Sequence, residues 1–181
     1  ESGKLETYAE AGLGKAFLPI VEMLKKGELT VCGNKALKQQ GVVTIKDPVS
    51  TCLECPLIKL HSDRGAMTIR LEHNGKVYGL VSVSIPGHLV DDQEERSLFK
   101  EVAGDIAFSI HNIKLDEELQ QSYQRLKKTM NATIDTMSRI IEAKDPYTSG
   151  HQHRVCQLAV PLARELGLSE DMIEGIRIAS L

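Results

Sequence analysis

Apolar and polar positions alternate with different periods along this chain, and each change of period marks an element. From Lys15 to Lys26, Phe17, Leu18, Ile20, Val21 and Leu24 recur at helical spacing until Gly27 closes the run. Cys32 to Gln40 predicts a shorter helix stopped by Gly41, and Leu5 to Ala9 a short strand before Gly12 and Gly14. Val42 to Lys46 is β-branched and predicts a strand ended by Asp47-Pro48. Val49 to Gly65 shows no period and reads as a loop. Ala66–Glu72 and Lys76–Ile85 then flank His73-Asn74-Gly75, a strong signal for a two-stranded hairpin, because Asn-Gly accepts positive φ.

Beyond Pro86-Gly87 the period becomes helical and stays so. Asp91-Asp92 predicts an N-cap, with Glu94 and Glu95 in the first turn. No Pro and one Gly interrupt the run to Lys144, about 50 residues and roughly 75 Å of continuous helix. Leu98, Val102, Ala103, Ile106, Ile110 and Ile113 predict one apolar stripe, lying on the sheet or on a partner. Leu119, Tyr123, Leu126, Met130, Thr133, Met137 and Ile140 alternate spacings of four and three, the a and d positions of a coiled coil. Asp116, Glu117 and Glu118 interrupt the seam between the two stretches. One face of an ordinary core helix is the other reading of the later stretch. Its length favours pairing into a parallel homodimer.

Asp145-Pro146 closes that helix. His151 to Leu166 predicts an amphipathic helix with Val155, Leu158, Ala159, Leu162 and Ala163 inward, kinked or broken early at Pro161. Ser169 caps a last helix burying Met172, Ile173, Ile176 and Ala179 or Ser180. The sum is an α+β chain: an antiparallel sheet flanked by helices, a long helix, and a short all-α end. Expected segments are 1–113, 114–144 and 145–181.

Composition narrows the function. Over 181 residues, 41% hydrophobic and 26% charged with a net charge of -3, no basic block is large enough to neutralise several phosphates, which argues against nucleic acid. No apolar run reaches the roughly 18 residues of a membrane span, and no secretory signal is present, so a cytoplasmic setting is expected. The first residue, Glu1, suggests an excised or processed piece.

Four cysteines in such a setting point to thiols or metal ligands rather than a disulfide framework. Cys52 and Cys55 form a C-x-x-C stiffened by Pro56, with Cys32 and His61 nearby in sequence. Three thiolates and an imidazole would make a closed zinc or iron–sulfur site. The pair alone could cycle as a redox disulfide, and buried inert thiols are the plainest alternative. His73 reads as a solvated hairpin residue, His88 as a loop residue, His111 as a surface histidine or one at a dimer seam, and Cys156 as core.

The stretch Ala143-Lys144-Asp145-Pro146-Tyr147-Thr148-Ser149-Gly150-His151-Gln152-His153-Arg154-Val155 resembles the opening of HD-GYP domains, metal-dependent phosphohydrolases that cleave cyclic di-GMP and related cyclic dinucleotides. The likeness covers about the last 45 residues. It implies that His151 is a direct ligand of a binuclear iron or manganese centre that activates water and neutralises the phosphodiester. Arg154 would meet phosphate or form a structural ion pair, and His153 would point elsewhere. Tyr147 stands where some members carry the acidic residue of a third metal, implying a two-metal parent. The family's His-Asp pair, later histidines and Gly-Tyr-Pro loop are expected beyond Leu181. One histidine cannot assemble the centre, so this chain by itself is expected to be inactive.

Leu71 to Val83, together with Glu101-Val102-Ala103-Gly104-Asp105-Ile106-Ala107, resembles GAF sensor domains over about residues 1 to 113. That implies a small-molecule ligand whose identity the fold leaves open.

Overall fold

In the computed structural model of the chain, residues 7–58, 63–144 and 150–180 are described. The architecture is mixed α+β, with a three-stranded antiparallel sheet, several short helices and one long helix. Two compact units divide between Leu115 and Asp116, inside the long helix.

The first unit opens without a strand over residues 7–9, and residues 1–6, which hold the start of the expected Leu5–Ala9 strand, lie outside the described residues. A 3-10 turn, Gly14–Phe17, leads into α1, Leu18–Lys25, started by Pro19 in its first turn and burying Ile20 and Val21. Helix α2, Val31–Lys38, is capped by Thr30, whose hydroxyl accepts from the Gly33 N–H. Strand β1, Val43–Ile45, comes next. A one-turn helix α3, Pro48–Thr51, then interrupts the stretch expected as loop, because Asp47 caps it and Pro48 presets its first φ.

Strands β2, Arg64–His73, and β3, Lys76–Pro86, form the hairpin. Asn74 and Gly75 both carry positive φ, at 50° and 76°, as the tight turn requires. The sheet order is β1-β2-β3, and β2 is the centre. Leu71 pairs with Gly79 but Glu72 pairs with Val77, so Tyr78 is the extra residue of a β-bulge.

Helix α4, Gln93–Lys144, begins where Asp92 Oδ1 accepts from the Glu94 and Glu95 N–H groups. On the sheet, Met67, Ile69 and Leu71 alternate onto the face that receives Phe99, Ala103 and Ala107, with Tyr78, Val81, Val83, Ile85 and Ile110 packed around them. The buried row of α4 is thus one aromatic and two small residues. The expected apolar stripe therefore splits. Ala103 and Ile110 face the sheet, but Leu98, Val102, Ile106 and Ile113 are exposed, because Phe99 and Ala107 complete the buried row. Helix α2 lies against β1 and β2, and Gly33 is so close to Leu80 that a Cβ there would sit 3.2 Å from Leu80 Cδ1.

In the second unit, α5, His151–Glu165, runs through Pro161 without a break, and α6, Glu170–Ala179, packs on it. The Ser169 hydroxyl caps α6 by accepting from the Met172 N–H. The buried face differs from the expected one. Ala163 and Ile173 are buried and Ala159 and Ile176 half-buried, but Val155, Leu158, Leu162, Met172 and Ala179 are exposed. The small residues on α5 admit α6 closely, which turns the larger leucines outward. Asp145-Pro146 and Tyr147 lie outside the described residues.

Candidate functional site

The cysteine loop is built by local hydrogen bonds. Asp47 Oδ1 accepts from the Val49 and Ser50 N–H groups at 3.1 and 3.4 Å, which sets α3. The Cys52 N–H donates to the Pro48 carbonyl, and the Cys55 N–H to the Cys52 carbonyl, each at 2.8 Å. The C-x-x-C is therefore a closed turn with Cys52 buried and Cys55 half-buried. Cys32, second residue of α2, sits with its Sγ 3.1 Å from Thr30 Oγ1.

All four cysteines are free thiols. Burial pushes the Cys52 thiol up first, and negative charge on Cys32 or Cys55 would push it further. Cys55 is raised by burial too, offset by a hydrogen bond from the Leu57 backbone and reinforced by Cys32. Both shifts keep Cys52 and Cys55 protonated at neutral pH. Protonated thiols are weak nucleophiles. Among the described residues no three His, Cys, Asp or Glu side chains are grouped to hold a metal ion. His61, the fourth expected ligand, lies outside them.

His151 stands exposed at the start of α5, next to Gly150, whose φ of 72° turns the chain into the helix. The Arg154 N–H donates to the Gly150 carbonyl at 3.1 Å, and its guanidinium folds back over Gly150, where a Cβ would lie 2.9 Å from Nη1. Ser138 Oγ donates to Gln152 Oε1 at 2.9 Å, tying the start of α5 to the end of α4. One imidazole does not make a two-metal centre, and among the described residues no group of metal-ligating side chains gathers around His151. Cys156 is half-buried, its thiol directed to the Arg177 carbonyl. Arg177 clasps α6 to α4, donating to Glu174 on both oxygens and to Asn131 Oδ1 at 2.5 Å.

A third cluster joins residues far apart in sequence. His73, at the end of β2, packs its ring 4.9 Å from His111 and 5.3 Å from Phe108, both on α4. Tyr78 Oη and His111 Nδ1 are 2.6 Å apart and share a hydrogen bond. Lys76 Nζ lies 5.5 Å from the Tyr78 ring centroid. Sequence periodicity missed this group because it depends on the bulge, which sets Tyr78 on the α4 side of β3. The Asn-Gly turn placed His73 at the hairpin tip, the one available hint.

A row of exposed apolar side chains runs along the later part of α4. Leu119, Leu126 and Met137 are 66%, 68% and 60% exposed, and Tyr123, Met130 and Ile140 are exposed with them. Leu98 and Val102 fall on the same seven-residue phase, whereas Asp105, Ser109, Asn112 and Asp116 occupy it between. Residues one place further on, Phe99, Ala103 and Ile110 in the first unit and Asn131, Ile134 and Ser138 in the second, are the more buried ones.

No helix among the described residues is long and apolar enough to cross a membrane. Comparison with family models, with curated proteins and with solved structures returned no match to this chain.

Proposed function

We propose that this chain is the sensing and signal-transmitting region of a cytosolic, cyclic di-GMP phosphodiesterase-type signalling protein. A GAF-like unit receives a small-molecule signal, α4 carries it, and α5 and α6 open an HD-GYP-like phosphohydrolase half. The observation that carries this reading is the apolar seven-residue phase left exposed along α4. A helix with leucines and methionines turned outward at a and d spacing gains by pairing, and a paired helix has the discrete alternative packings that switching needs. The partner is a second copy of the chain, parallel and in register.

The metal pair belongs to the parent protein. Here His151 contributes one ligand, and the chain by itself does no hydrolysis. Two measurements test the reading. Light scattering at tens of micromolar should give twice the chain mass, and a monomer removes the transmitter. In the parent protein, His151→Ala should lose bound iron or manganese and cyclic di-GMP hydrolysis together; retention of both rejects the phosphohydrolase assignment.

A second reading rests on the closed C-x-x-C turn, in which the Cys55 N–H donates to the Cys52 carbonyl at 2.8 Å and both thiols are free. On it the loop is a thiol-based zinc or redox sensor. Elemental analysis of the purified chain tests it, and metal-free protein whose thiols stay reduced under mild oxidation rejects it.

A further inference from the structure

Two imidazoles meet where the hairpin tip lies against the long helix. His73 ends β2 and His111 stands on α4, and their ring centroids are 4.9 Å apart with both side chains half-buried. Each ring is thus reachable from solvent yet held on its own element. Phe108 packs on His73 at 5.3 Å, and Tyr78 Oη lies 2.6 Å from His111 Nδ1. That hydrogen bond commits Nδ1 of His111 and leaves Nε2 as its free nitrogen. The β-bulge that sets Tyr78 there belongs to the strand register, so the His111 ring is oriented by the fold itself.

The spacing of the pair has a chemical meaning. An imidazole nitrogen binds a transition-metal ion at about 2.0–2.1 Å, which puts each ring centroid about 3.2 Å from the ion. Two rings sharing one ion, at angles between square and tetrahedral, then stand about 4.5–5.2 Å apart. The observed 4.9 Å falls inside that range. The charges nearby choose among ions. Glu72 adjoins His73 in sequence, but its carboxylate is paired with Arg70, and the Lys76 ammonium lies against the Tyr78 ring. Mg2+ and Ca2+ need oxygen ligands and negative charge, which this setting does not offer. Neutral nitrogen donors select Cu2+, Ni2+ and Zn2+ instead.

We propose that His73 and His111 form a two-histidine site for a divalent transition-metal ion of that group. His111 binds through Nε2, and its Nδ1–H donates to Tyr78 Oη, which fixes the ring. Among the described residues no third His, Cys, Asp or Glu joins the pair, so water completes the coordination. Bound there, the ion ties the β2–β3 tip to α4, which elsewhere meets the sheet through Phe99, Ala103 and Ala107. The site shares no residue with the cysteine loop or with His151. Both ligands lie in the first unit, so the site stands whether or not the chain belongs to a phosphohydrolase.

Calorimetric titration of the whole chain with Ni2+, which does not oxidise thiols, tests it. Ni2+ should bind saturably, and a large excess of Mg2+ should not displace it. His73→Phe keeps a ring against Phe108, and His111→Gln keeps a partner for Tyr78. Each should weaken binding by more than about tenfold, and Tyr78→Phe by about tenfold, the scale of losing the group behind a metal-binding histidine. His88→Gln, at an exposed histidine outside the pair, should leave binding unchanged. Ni2+ should also slow hydrogen exchange at residues 73–80 and 107–114 and leave α1 as it was. Absence of saturable binding overturns the site, and so does binding that survives substitution of His73 and of His111. An equal loss in His88→Gln overturns it as well. Should a substituted chain fail to fold, exchange in the native chain decides: slowing confined to those two segments supports the site, and slowing elsewhere or nowhere overturns it.

Discussion

The two ends of α4 are fastened by different physics. Near its start the helix buries Phe99, Ala103 and Ala107 on the sheet, a dry contact with Met67, Ile69 and Leu71. Near its end the buried position among the described residues is the polar Ser138. There, polar clasps hold it: Asn131 to Arg177 on α6, and Ser138 to Gln152 on α5. Apolar burial contributes roughly 25 cal/mol per Å² and does not depend on pH. Half-exposed hydrogen bonds and ion pairs contribute about 1 kcal/mol or less each and are sensitive to solvent. The start of the helix is thus built to stay attached, and its end to be adjustable. Beside the second attachment, an apolar seven-residue phase from Leu119 to Ile140 is left open.

The strongest way to break that contrast is in the sheet. Met67→Ala should lower the stability of the first unit by about 2–5 kcal/mol, read from chemical denaturation, because Met67 is fully buried on the central strand. A loss below about 1 kcal/mol would mean that the helix is not held by this core. Asp92→Ala should cost about 1 kcal/mol, since it removes the acceptor for two N–H groups at the start of α4.

Arg177→Met should cost the second unit about 1 kcal/mol and leave the first unit's transition unmoved. Its partner Glu174 supplies a pH dependence with a definite sign. The hydrogen bond from Arg177 holds the Glu174 carboxyl below the usual carboxylate range; partial burial works against this, and the charges of Arg177 and Lys127 add to it. A lowered value means the clasp contributes fully above the ordinary carboxylate range and is lost as the pH falls through Glu174's own value. Exchange protection of α6 should therefore persist at about pH 5 and fall in stronger acid, below about pH 4. Loosening of α6 already near neutral pH would mean that the Glu174–Arg177 clasp does not hold it.

The smallest effect on folding is expected at the open face. Leu126→Glu should change the stability of a single chain by less than about 0.5 kcal/mol, because the side chain is exposed. If the stripe is a pairing surface, the same change should convert a dimer to a monomer in light scattering. Loss of fold together with loss of pairing would show instead that Leu126 packs within its own chain.

Much of this organisation could be read from particular residues. Asn74-Gly75 located the hairpin because few sequences tolerate two consecutive positive φ angles. Asp92 and the absence of Pro to Lys144 located α4, since capping and propagation are local properties. Which apolar residues of α4 would be covered was not legible. Leu98, Val102 and Ile106 are more hydrophobic than Ala103 and Ala107, yet the alanines are buried, because the sheet approaches where side chains are small. The same logic reversed the expected face of α5, where Ala163 is buried and Leu158 is 75% exposed. The candidate site was legible in kind: Cys52 and Cys55 were evident as a C-x-x-C. The burial that keeps them protonated was not, because it depends on how α2 and the loop pack.

By itself, then, the sequence determined the turn at Asn74-Gly75, the extent of α4 up to Lys144, and the seven-residue apolar phase from Leu119 to Ile140. Each depends on backbone φ, capping or spacing within a few residues. Only the tertiary structure decided which stripe of α4 meets the sheet, that Tyr78 is bulged toward it, and that His73 on the hairpin and His111 on the helix face each other. Those outcomes depend on how closely two surfaces can approach, and that distance is set jointly by residues far apart in the chain.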